Sequence, residues 1–89
     1  DLYFPEFHFT HLMLNKNFPV DWHYDKANLG ETVIVAVGCF TGGRTQLMIN
    51  SEVVSIDVHN KPYKFDGSKI KHRCEPFIGD RYAVVFFKN

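Results

Sequence analysis

Thr32-Val33-Ile34-Val35-Ala36-Val37 is a continuous, mostly β-branched run. It has the pattern of a strand covered on both faces. The strongest strand signal in the chain is residues 81–87, Arg81-Tyr82-Ala83-Val84-Val85-Phe86-Phe87. Working outward from these two, further strands are expected at 9–14, at 20–25 after Pro19, at 44–49, 53–58 and 70–75. A short one is expected at 62–66, where Pro62 is tolerable at its start. No stretch repeats apolar residues at helical spacing over three turns. Turn chemistry separates the strands at Asn28-Leu29-Gly30, Thr41-Gly42-Gly43, Asn50-Ser51, Asn60-Lys61-Pro62, Asp66-Gly67-Ser68 and Gly79-Asp80. About eight short strands at even spacing predict an all-β sandwich or jelly roll.

The 89 residues suit one domain with a modest core. An apolar fraction of 45%, with nine Phe, excludes a disordered chain and suits packed sheets. Formal net charge is zero, which argues against a general electrostatic binder of nucleic acid. The distribution is uneven, however: Lys61, Lys64, Lys69, Lys71 and Arg73 are opposed only by Asp66 within their stretch. An edge of solvated charge would produce the same run. Two cysteines, Cys39 and Cys74, are fewer than a disulfide framework uses, so both are expected as thiols. No apolar run approaches the roughly 18 residues of a membrane span, and no signal-peptide pattern is visible. The expectation is an intracellular protein without a membrane partner. Because the chain opens on Asp1 rather than Met, a piece of a longer protein is expected.

His23-Tyr24-Asp25 carries the first chemical signal. Alternate strand residues share a face, so an imidazole and a carboxylate project together while Tyr24 points away. The same pair also arises by chance on exposed strand ends. A third ligand is available in His72, on the expected strand 70–75. Two His and one carboxylate leave coordination positions open, as in non-haem iron(II) sites, whereas a four-ligand structural zinc site leaves none. Arg81 stands nine residues after His72, at the head of an apolar strand. Arginine can grip a carboxylate with two parallel hydrogen bonds. An exposed strand start is the plainer explanation for it. His8 and His11 read as strand-flank residues and His59 as a turn residue. Cys74 would share the face of His72, lining a pocket or serving as a small buried hydrophobe. Trp22 and Tyr82 read as core, and Asn15 as a strand-end or pocket polar group.

Taken together, these features resemble the iron(II)/2-oxoglutarate dioxygenase superfamily, with its His-x-Asp, distal His and Arg about ten residues later. Three stretches are similar to the TET/J-binding-protein group. They are Trp22-His23-Tyr24-Asp25-Lys26-Ala27-Asn28-Leu29-Gly30, the Gly38-to-Gly43 stretch, and Phe65-Asp66-Gly67 continuing through His72 to Glu75-Pro76-Phe77-Ile78-Gly79-Asp80-Arg81-Tyr82. The resemblance covers residues 9–89 and lies in the order and spacing of motifs that are individually weak. It implies a double-stranded β-helix (jelly roll) spanning 1–89 as an oxygenase core domain, with the family's flanking helices missing. It also implies Fe(II) held by His23, Asp25 and His72, and 2-oxoglutarate as co-substrate with its far carboxylate on Arg81. The implied reaction is hydroxylation of a methylated base, 5-methylcytosine or thymine, in DNA or RNA, which requires the base to be extruded. Prolyl-hydroxylase-like members place Lys where this chain has Arg81. Where relatives continue Gly-Gly-Glu-Leu, this chain has Arg44-Thr45, so contacts there are expected to differ. The alternatives are an oxygenase acting on a peptide or small molecule, and a metal-free jelly-roll interaction module. A cupin would need His-x-His, which is absent.

One expectation follows from geometry. A tight hairpin at Gly79-Asp80 would pair Ile78 with Arg81 and carry His72 roughly 20 Å away, at ~3.3 Å per residue. No small diacid spans that distance. The strands carrying His72 and Arg81 are therefore expected in opposite sheets.

Overall fold

The structure, a computed structural model, describes residues 7–17 and 20–88. It contains seven strands: β1 (His11–Lys16), β2 (Thr32–Gly42), β3 (Thr45–Ile49), β4 (Glu52–Ile56), β5 (Tyr63–Phe65), β6 (His72–Cys74) and β7 (Phe77–Phe87). They form two antiparallel sheets, ordered β1-β7-β2-β5 and β4-β3-β6. The described residues contain no helix, and so none that could cross a membrane. His72 lies on β6 and Arg81 on β7, so the two are in opposite sheets, as the geometric argument required.

The long β2–β7 ladder is the spine of the molecule, with Ala36 opposite Ala83 and Val33 opposite Phe86. Val33, Ala36, Leu47, Val58, Phe65 and Ala83 are the buried apolar core, drawn from both sheets. Their strands form for the reason visible in the sequence: β-branched and aromatic side chains pack well on a pleated surface. Asn50 and Ser51, both at positive φ (52° and 66°), make the β3–β4 hairpin. This backbone fits the right-handed twist of paired strands.

Three expectations about the strands and turns are corrected. First, there are seven strands rather than about eight, because 20–25 is not a continuous strand. His23 and His72 exchange backbone hydrogen bonds (2.9 and 3.0 Å), but beyond them no regular ladder forms, the Cys74 N–H skipping to the Val20 carbonyl (2.9 Å). Asp21 explains why: its carboxylate accepts the Trp22 N–H (2.7 Å) and its carbonyl accepts from the His23 ring (2.7 Å). Local side-chain bonds of this kind compete with a ladder. Pro19, read as punctuation before this segment, lies outside the described residues.

Second, Gly79-Asp80 is not a turn but lies within the first half of β7, paired with Phe40 and Cys39. Third, Thr41 and Gly42 extend β2 instead of leaving it. Gly79 (φ 110°) and Gly38 (φ 115°) sit where β2 and β7 pinch together. A Cβ on Gly79 would overlap the Cys39 carbonyl oxygen, and one on Gly38 the Asp80 carbonyl oxygen. The glycines thus mark close backbone approach rather than chain reversal.

Trp22 and Tyr82 are half-buried rather than core. Each is next in sequence to a site residue and faces outward, where none of the described residues forms a third layer over it. Cations cover them instead: the Arg73 guanidinium lies 5.2 Å from the Trp22 ring centroid and the Lys16 ammonium 5.5 Å from that of Tyr82.

Candidate metal centre

Between the sheets lies a cavity of about 290 Å³. His23, Asp25 and His72 line it, and so does Arg81. The second sheet presents His72 from β6, and the adjoining segment brings His23 alongside through the shared backbone bonds. The Asp25 N–H donates to the Gly67 carbonyl (2.8 Å), which fixes the carboxylate beside His72. Gly67 is needed for its size. A Cβ there would stand 2.8 Å from Asp25 Oδ2 and 3.2 Å from His72 Cε1. The turn is held by Asp66, whose carboxylate accepts from the Ser68 N–H (3.0 Å) and hydroxyl (2.6 Å).

One potential ligand atom from each of His23, Asp25 and His72 falls within 4.8 Å of the others. Among the described residues, no other group of three such side chains comes together. His72 Nε2 lies 3.1 Å from Asp25 Oδ2, and His23 Nε2 lies 3.4 Å from Asp25 Oδ1. Each Nδ1 faces a backbone carbonyl, that of Asp21 for His23 and that of Ile70 for His72 (2.8 Å). A carbonyl only accepts, so each Nδ1 donates, which leaves Nε2 as the ring atom turned toward Asp25. His72 Nε2 is hydrogen-bonded to Asp25 Oδ2, and on giving up that proton to a metal the two Nε2 atoms and the carboxylate become three converging ligand atoms. Three such ligand atoms, with each Nδ1 anchored to a backbone carbonyl, are the donor chemistry of a metal site with its outer hydrogen bonds in place. Burial pushes the Asp25 carboxyl up, but the His72 hydrogen bond and the charges of His72 and His23 outweigh it and hold it below the ordinary carboxylate value.

Arg81 is 4% exposed. Its Nε–H donates to the Gly43 carbonyl (3.1 Å), and the Phe40 and Phe77 rings flank it at 5.7 Å. Its Nη2 is buried with no hydrogen-bond partner among the described residues. Among the described residues no carboxylate forms an ion pair with it. An unpaired buried cation is costly, and an anion would relieve that cost. Gly43 makes this arrangement feasible, since a Cβ there would sit 2.9 Å from Arg81 Cδ and Nε.

The remaining sequence candidates are sorted by the same geometry. Cys74 and Asn15 both line the cavity, as does Thr45 of the divergent Arg44-Thr45 pair. Burial pushes the Cys74 thiol up, so it stays protonated. His11 stacks on Phe87, and His59 sits on Phe40 with its Nε2 2.8 Å from the Gly38 carbonyl oxygen. Neither joins the centre, and nor does His8. Tyr24 points to solvent. The basic run is partly neutralised: Lys61 pairs with Asp57 (3.6 Å) and Lys64 with Glu31 (3.7 Å), while Lys69 and Lys71 are exposed. Sequence reasoning missed Gly43 and Asn17 as partners of Arg81. They lie 38 and 64 residues away, and no local pattern signals such contacts.

No protein-family model matches the chain, and no curated protein matches it.

Proposed function

We propose that the two sheets are a double-stranded β-helix core and that the protein is an Fe(II)/2-oxoglutarate-dependent dioxygenase. His23, Asp25 and His72 hold the iron, and Arg81 receives the far carboxylate of 2-oxoglutarate. The observation that carries this reading is the pairing, in one cavity, of a three-donor face with a buried guanidinium whose Nη2 has no hydrogen-bond partner among the described residues. Chain order supports the architecture. With 20–25 counted beside β6, successive segments alternate between the sheets except at the β3–β4 hairpin. That alternation is how two sheets wind into a jelly roll.

Iron(II) at this site would activate dioxygen, placing one oxygen atom in a C–H bond and the other in succinate as 2-oxoglutarate loses carbon dioxide. The chain's own residues supply binding, orientation and exclusion of water. The Asp21 and Ile70 carbonyls keep both imidazoles in the tautomer that presents Nε2. Asp25, held ionised, balances charge. Arg81 sets the direction of the dicarboxylate. Met13, Ile34, Phe65 and Val85 keep the remaining wall apolar.

The primary substrate is a methylated nucleobase in nucleic acid. Support comes from the TET/J-binding-like motifs and from exposed Lys69 and Lys71, which lead into His72 and suit the phosphates flanking an extruded base. The test is succinate release by the iron-loaded protein, with and without methylated oligonucleotides. Stimulation by the oligonucleotide is expected, and charge reversal at Lys69 and Lys71 should weaken it. Stimulation only by peptides or small molecules would overturn the substrate, and no turnover with any of them would overturn the oxygenase assignment.

A further inference from the structure

Resting on the role given to Arg81 above, we propose that Asn17 is a positioning residue for Arg81, holding the guanidinium ready before a carboxylate arrives. Strand β1 ends at Lys16, opposite Tyr82 of β7. At Asn17 the backbone turns to a φ of 52°, which would ordinarily end the pairing. Instead the side chain continues it. The Asn17 N–H donates to the Arg81 carbonyl (2.8 Å), and Asn17 Oδ1 accepts the Arg81 N–H (2.7 Å). The side-chain amide thus stands where a strand carbonyl would. Its Nδ2 also donates to Asp80 Oδ1 (3.1 Å), tethering the carboxylate next in sequence to Arg81.

Arg81 is therefore held at both ends. Asn17 grips its backbone, and the Gly43 carbonyl grips Nε. Nη2 is left without a partner inside the cavity wall. A free arginine side chain has large rotamer entropy, and a ligand that must order it binds more weakly. Asn is suited to this position because, unlike most residues, it tolerates the left-handed backbone and offers both an acceptor and a donor.

The test separates side chain from backbone. Asn17→Gly keeps the left-handed conformation accessible and removes only the amide. In the metal-free protein, exchange of the Arg81 Nε–H, followed by NMR, should quicken about three- to tenfold, the scale of one hydrogen bond. With Mn(II) bound, the 2-oxoglutarate Kd should rise by a similar factor while Mn(II) affinity stays unchanged. Ser55→Ala removes an exposed bond to Gln46 in the other sheet and should alter neither quantity. Asn17→Asp alone sets a second carboxylate against Asp80 and should weaken 2-oxoglutarate binding. Adding Asp80→Asn to it should restore both bonds and the affinity. Unchanged Nε–H exchange in Asn17→Gly, or no restoration in the double variant, would overturn the positioning role. Faster exchange in a protein whose wild type binds no 2-oxoglutarate would support that role and overturn the dicarboxylate assignment instead.

Discussion

At the scale of single residues, the site depends on groups that never enter it. Asp66 is one. The Ser68 hydroxyl holds its carboxyl below the ordinary 3.8; desolvation, the next largest influence, opposes it, and the Ser68 N–H, the Lys69 charge and the Lys69 N–H add to the lowering. A depressed carboxyl pKa means that the ionised form favours the folded turn. That stabilisation is present above about 3.8 and is lost as pH falls through the lowered value. Ser68→Ala should therefore move the Asp66 pKa, read by NMR titration, back toward 3.8. The turn that presents Gly67 to Asp25 should loosen at the same time. An unmoved Asp66 pKa would mean that the hydroxyl bond is not formed in solution. Of the residues that matter here, His23 and Asp25 were legible because a strand's period of two puts them on one face. His72 and Arg81 were legible by residue type and order. Asn17 was not, because its meaning lies in a contact with the far end of the chain.

At the scale of elements, β-branched runs located the spine, and the Asn50-Ser51 hairpin could be read from its turn residues. The glycines misled, since a glycine at a turn and one at a strand pinch look alike in sequence. Gly30 and Gly79 separate the two costs. Both have positive φ (76° and 110°), but a Cβ on Gly30 meets nothing within 4 Å, whereas on Gly79 it strikes the backbone of β2. Gly30→Ala should lose about 1–2 kcal/mol, the cost of a left-handed alanine. Gly79→Ala should lose clearly more, on the order of 3 kcal/mol or above, because strands must part or a bulky contact must be strained. Chemical denaturation measures both. Equal losses would show that the pinch between β2 and β7 relaxes freely. The second expected strand failed for a related reason. Asp21 commits its side chain and carbonyl locally, and nothing in an apolar-polar alternation discloses that choice.

At the scale of the whole molecule, a chain of 89 residues with a small core has little stability to spare. An ion that binds only the folded chain adds to that stability by mass action, so metal binding should stabilise the whole domain. At free Mn(II) near 100 times its Kd the gain is about 2.7 kcal/mol, a rise in Tm on the order of 10 °C or more for a domain this size. His23→Ala, Asp25→Ala and His72→Ala should each abolish the rise, and its survival in all three would place the ion elsewhere. The most direct measurement joins both halves of the cavity: titration of 2-oxoglutarate by calorimetry, with Mn(II) present and with a chelator. The expected result is one 2-oxoglutarate per chain, bound only when Mn(II) is present and lost in both His72→Ala and Arg81→Ala. Equal binding in chelator, or undiminished binding by Arg81→Ala, would contradict the assignment of His23, Asp25, His72 and Arg81 to one cofactor site.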